Sequence, residues 1–148
     1  MIAPPLAAAV LALWVGPAGQ AGPDVSGLWR APVDGGSVVR LAPCDADLCG
    51  FIITSPHIVA DPNQKDVRNR DPAQRDRALR NLMFLRVKAV GPGRWGNGWV
   101  YNPEDGGLYK GVMVLKPDGA LQLTGCIIEP LCKTQTWRRE AKGAAPDT

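Results

Sequence analysis

The segment at residues 94–115 constrains this chain more than any other. It reads as two strands around a turn that contains Pro103, Gly106 and Gly107. Trp95, Asn97, Trp99 and Tyr101 share one strand parity before the turn, and Tyr109, Gly111, Met113 and Leu115 share one after it. Residues two apart in a strand line the same face. The pattern therefore predicts an aromatic-rich hairpin in an antiparallel sheet or barrel. Two readings of its side chains stand side by side. Trp95, Asn97, Trp99, Tyr101, Tyr109 and Met113 either line a pocket for a small molecule, with the tyrosine hydroxyls and Asn97 as its few polar groups, or form the packed core of a small barrel.

Short strands punctuated by turn signals continue on both sides. Strands are expected at residues 26–30, 37–42, 48–54, 82–89, 120–127 and 134–139, with turns at 32–36, 45–47, 91–93 and 116–119. Together with the hairpin this makes about eight strands and no βαβ pattern. Closing them into a barrel removes the exposed edges of an open meander. The interior of such a barrel is either filled by side chains or holds one small ligand. Trp29 and Trp137 read as structural members of it.

The exception lies at residues 56–81, where apolar side chains nearly vanish. A long loop is expected at 59–70, followed by one short helix. Asp71 would cap that helix, with Pro72 at its first position and Gln74 three residues after the cap. Asp76 and Arg80 are spaced for a helical ion pair. The run from Asp61 starts like a calcium loop, but its sixth position is Asp66 where glycine is required and its twelfth is Pro72 where glutamate is required. An EF-hand is excluded and no metal site is assigned. Asp61 and Asn63 fit a rim loop at the barrel mouth, bonding to nearby backbone amides. Lys65, Arg68, Arg70, Arg75, Arg77 and Arg80 alternate with Asp61, Asp66, Asp71 and Asp76, the pattern of a solvated, self-paired surface.

Residues 6–15 form an uncharged apolar run, with small residues through Ala21. It is shorter than the roughly 18 residues a membrane span needs. Residues 1–21 thus read as a signal peptide cut after Ala21, although no basic residue precedes the run. A single domain at 22–140 and a small, polar tail at 141–148 remain, in a periplasmic or secreted protein. Four cysteines, Cys44, Cys49, Cys126 and Cys132, suit disulfides in an exported chain. Three pairings exist. The local one, Cys44–Cys49 and Cys126–Cys132, is favoured because each pair brackets a short turn, which limits each bridge to about 2 kcal/mol. The Cys126–Cys132 spacing is too long for the usual paired zinc ligands. A net charge of +3 without a concentrated basic stripe argues against nucleic acid as a partner.

Catalysis finds no constellation. His57 is the single histidine. Ser55 would share its strand face, but no positioned carboxylate or oxyanion donor accompanies them. Cysteines held in disulfides are not nucleophiles, and no phosphate-binding glycine loop is present. No cofactor is implied, and the chain reads as a binder and not an enzyme.

Several pieces resemble the bacterial exported family known as domain of unknown function 2147. They are Gly27-Leu28-Trp29, Leu48-Cys49-Gly50-Phe51-Ile52, Asp61-Pro62-Asn63 with Asp71-Pro72, Trp95 with Gly98, Tyr101 and Pro103, then Tyr109, and Cys132 through Arg139. The likeness spans nearly all of residues 26–139. Asn102 stands where the family usually has Asp, and Gly106-Gly107 where it usually has Gly-Lys, so no charged role passes to that turn. The resemblance implies an exported, lipocalin-like or calycin-type barrel without an established activity. Lipocalins also open with Gly-x-Trp and end with an arginine packed over that indole. Here Gly27-Leu28-Trp29 opens the domain and Arg138 or Arg139 lies on the last strand, a contact worth about 0.5–2 kcal/mol.

The expected molecule is an all-β, antiparallel barrel of roughly eight strands with one short helix in a long loop. It would bind a small, partly apolar ligand, lipid-like or aromatic, in its interior. One alternative is a filled barrel that contacts another cell-envelope protein through the Arg-rich segment. A second is an unrecognised hydrolase using His57.

Overall fold

Alternating side chains and Gly/Pro/Asp turns make eight strands among the described residues, as expected. The structure, a computed structural model, describes residues 2–5, 23–32, 36–128 and 131–140. The signal-peptide reading of residues 1–21 and the tail at 141–148 fall outside these residues, apart from residues 2–5. The strands are β1 Gly27–Ala31, β2 Ser37–Cys44, β3 Asp47–Thr54, β4 Met83–Gly91, β5 Arg94–Asn102, β6 Gly107–Leu115, β7 Leu121–Ile128 and β8 Leu131–Arg139. Each pairs antiparallel with the next, and β8 returns to β1 to close the barrel. Closure rests on two register pairs, Trp29 with Arg139 and Arg30 with Arg138.

That seam is reinforced by side chains. The Arg139 guanidinium lies 4.6 Å from the centroid of the Trp29 ring and donates to the carbonyls of Ser26 and Asp24. The indole N–H of Trp29 donates to the Val25 carbonyl at 2.9 Å. Of the two arginines considered for this role, Arg139 takes it, and Arg138 pairs with Asp118 instead at 3.0 Å. Both disulfides are local: Cys44–Cys49 staples the β2–β3 turn and Cys126–Cys132 the β7–β8 turn.

Two expectations need correction. The helix predicted after Asp71 is a single 3-10 turn, Pro72–Gln74. Asp71 does cap it, accepting the Ala73 N–H at 3.0 Å. The turn stops there because the following backbone is committed elsewhere. Asp66 N–H donates to Arg77, and Leu79 N–H donates to Gln64, a short ladder that a helix would break. Asp76 accordingly faces Lys65 at 3.7 Å rather than Arg80. The short α-helix, α1 Pro56–Ala60, comes earlier, with Ser55 as its cap and Pro56 in its first turn.

The second correction concerns β5. Trp95 pairs with Met113 and Gly98 with Gly111, so three steps on β5 oppose two on β6. This is a bulge, and Asn97 occupies it with φ of 49°. The extra residue reverses the parity of everything after it. Trp95 and Trp99 therefore do not share a face.

The core fills one half of the barrel. Trp29, Leu41, Val87, Met113 and Leu121 are each at most 1% exposed. They sit toward the end carrying the β2–β3, β4–β5 and β6–β7 turns, where both wide aromatics and branched aliphatics converge. The other half is not filled.

Candidate functional site: a cavity at the barrel mouth

The end bearing α1 and the β5–β6 and β7–β8 turns opens into a cavity of about 590 Å³. Its deep wall is apolar: Val39, Ile52, Phe84, Val100, Leu123 and Trp137. Phe84 and Trp137 stand with ring centroids 6.0 Å apart at its floor, a separation typical of tilted aromatic pairs. Part of the space exists because the inward position of β7 at Gly125 carries no side chain. Gly125 lines the cavity, and a side chain there would meet Val100 at 3.2 Å and Tyr109 at 3.5 Å.

The rim is polar. Glu104, in the β5–β6 turn, receives His57 Nε2 at 3.0 Å and Arg68 at 3.1 Å. Next to it, Asp105 accepts from the Tyr109 hydroxyl and, at 2.7 Å, from the Gly107 N–H. Burial works against the Asp105 charge, but the Tyr109 and Gly107 donors outweigh it and hold the carboxyl below the ordinary range. The same hydrogen bond to Asp105, assisted by burial, raises the Tyr109 phenol.

Residues 61–81 are pinned beside this rim. Asp66 is 1% exposed and accepts the Tyr101 hydroxyl at 2.6 Å, Asn69 Nδ2 at 2.9 Å and Arg77 Nε at 2.9 Å. The Arg77 guanidinium also lies 5.0 Å from the Tyr101 ring centroid. Burial, then the bond to Asp66, pushes the Tyr101 phenol up to about 12. The chain has two tyrosines, and both are raised above the usual value of about 10. A folded-state pKa above the unfolded one contributes stability that is complete below pH of about 10 and is lost as pH rises through the folded values. Tyrosinate absorbance should therefore appear only above the usual midpoint, and Tyr101→Phe should remove the later-titrating component. Ordinary titration in the folded protein would contradict this.

Of the residues singled out in the hairpin, Tyr101 and Tyr109 reach the cavity. Trp95 and Met113 are buried at the filled end and belong to the core. Asn97 is exposed at the bulge and Trp99, beyond it, packs half-buried on the outer surface of the barrel. Asp61 and Asn63 bond each other through an Asx turn, with Asp61 Oδ1 accepting the Asn63 N–H at 2.9 Å, and line no wall of the cavity. Trp137 is both core and cavity floor. The deep-wall residues missed in the sequence lie on β2, β3, β4, β5, β7 and β8. Their signal was the inward parity of each strand, Val39 with Leu41 and Leu121 with Leu123, read at the mouth end only.

Ser55 and His57 line the cavity but are otherwise engaged. Two expectations for them are corrected. They do not share a strand face, since Ser55 caps α1 and His57 lies within it. A carboxylate does stand beside His57, Glu104 at 3.0 Å, while the Ser55 hydroxyl accepts the Ile58 N–H. Among the described residues no group of three His, Cys, Asp or Glu side chains is arranged to hold a metal ion, and no helix is long and apolar enough to cross a membrane.

Comparison with known proteins supports the architecture. Protein HP1028 from the human pathogen Helicobacter pylori, described as belonging to the lipocalin family, superimposes with a TM-score of 0.71 over 80% of this chain and 84% of that chain, at 22% identity. At that identity the likeness speaks for the fold. No curated protein matches the sequence. The family model described as "Uncharacterized protein conserved in bacteria (DUF2147)" matches residues 27–139, and the chain, a lipocalin-like barrel over that span, belongs to this family.

Proposed function

We propose that the protein is an exported carrier or receptor that binds a small, partly apolar molecule inside its barrel, in the periplasm or outside the cell. The observation that supports this is the 590 Å³ cavity. Its size falls within the range of small-molecule sites, and an apolar wall with a few polar groups at the rim is their usual composition. Two local disulfides suit an oxidising compartment, which agrees with export. Binding without turnover is favoured because the Ser55 hydroxyl is taken up by the helix cap and makes no hydrogen bond to His57. A protein-interaction role for the Arg-rich segment has less support, since Arg68 and Arg77 pair within the chain.

The test is a titration with the uncharged fluorescent probe N-phenyl-naphthylamine. The wild-type chain is expected to bind it, and Leu123→Trp, which places an indole in the cavity, should weaken binding at least about tenfold, roughly 1.4 kcal/mol. The variant's unfolding midpoint is measured alongside, so that loss of fold is told apart from loss of space. Absence of probe binding by the folded wild-type chain would overturn the reading.

A further inference from the structure

We propose that the cavity takes an amphiphile with a single carboxylate head and an apolar tail, and that Lys133 on β8 receives the head. This rests on the binding function proposed above. The inward positions of β8 descend from Lys133 through Gln135 to Trp137, and all three line the cavity. They form a gradient from cation to amide to indole, the order in which an anionic amphiphile would present its parts.

The carboxylates of the rim do not compete for a cationic head on equal terms. Glu104 is shared by His57 and Arg68, and Asp105 is held by the Tyr109 hydroxyl and the Gly107 N–H. Lys133 has no carboxylate partner among the described residues. Its position also meets a physical requirement. Burying a charge outright is prohibitive unless it is paired, so a charged head must stay near water while the tail is buried. β1 pairs with β8 only at Arg138 and Arg139, below the cavity. Lys133, higher on β8, is therefore exposed to solvent while still lining the wall. A lysine so placed can hold a carboxylate with its stem against apolar surface and its ammonium wet.

The experiment displaces N-phenyl-naphthylamine from the folded chain with dodecanoic acid, methyl dodecanoate and dodecylamine. The acid is expected to compete about tenfold better than the ester, the scale of one charge-assisted hydrogen bond left partly in water, with the advantage shrinking at high salt. In Lys133→Gln the acid should fall to the level of the ester, each competition being read against the probe affinity measured for that variant, and Lys133→Glu should favour the amine. Equal competition by acid, ester and amine in the wild-type chain, or an undiminished acid advantage in Lys133→Gln, would overturn the assignment and leave the cavity reading standing. If the probe itself does not bind, both readings fall together.

Discussion

Gly98→Ala is expected to destabilise the protein by about 3 kcal/mol, the upper range for overpacking a tight interior. The position faces inward at the β5 bulge, paired with Gly111. A β-carbon there would overlap the Arg86 carbonyl oxygen and stand 2.7 Å from the Val87 Cα. Both obstacles are backbone of β4, which cannot swing aside like the end of a side chain. Relief would require β4 and β5 to separate, weakening the ladder that holds Trp95 at the barrel floor. Gly91→Ala is the control, because nothing lies within 4 Å of a β-carbon at that site, and it should shift stability by less than about 0.5 kcal/mol. Equilibrium urea denaturation of the two variants measures the difference. Equal midpoints would mean that the bulge tolerates a side chain and that the close approach of the two strands has no energetic weight.

Asp66→Ala should have an effect of similar size by another route, also about 3 kcal/mol. The carboxylate is shielded from water and takes three donors, from Tyr101, Asn69 and Arg77. Removing it strands a buried Tyr101 hydroxyl, and an unsatisfied buried group costs its full desolvation. The Arg77 side chain is 33% exposed and regains water, which keeps the loss at the lower end of that seen for broken buried pairs. Tyr101→Phe should cost only about 1 kcal/mol, since Asp66 keeps its other two donors. The damage should concentrate in residues 64–79, whose backbone ladder depends on the Asp66 anchor. Hydrogen exchange there should accelerate in Asp66→Ala well before the strands open. Exchange as slow as in the wild-type chain would show that the segment is held by its backbone bonds alone.

Most of the architecture was legible because its causes are local. Turns such as Lys116-Pro117-Asp118-Gly119 and Asp45-Ala46-Asp47 are specified by side-chain preferences within a few residues, and the strands between them alternate visibly. The Trp29–Arg139 seam was legible to within one residue through the resemblance to lipocalins. Cap chemistry was legible too, since Asp71 does bond Ala73. What followed the cap was not, because the backbone of Arg77 and Leu79 found partners at Asp66 and Gln64, residues outside any helical window. The candidate site fared less well for a related reason. Parity counted along Trp95, Asn97, Trp99 and Tyr101 assumes an unbroken pleat, and one residue in the left-handed region at Asn97 inverts it. Asparagine tolerates that conformation better than most residues, but the sequence alone does not say where it adopts it.

What the chain's sequence determined by itself was an antiparallel barrel closed between its first and last strands, stapled by two local disulfides. Those features arise from short-range turn chemistry, from period-two alternation and from the pairing of one indole with one guanidinium. Tertiary structure decided where the barrel is full and where it is hollow. Met113 and Trp95 meet at one end and Gly125 stands beside Val100 and Tyr109 at the other, so the volume left over is a sum across strands distant in sequence. Alternation tells which side chains point inward; only their assembly in three dimensions tells whether they touch.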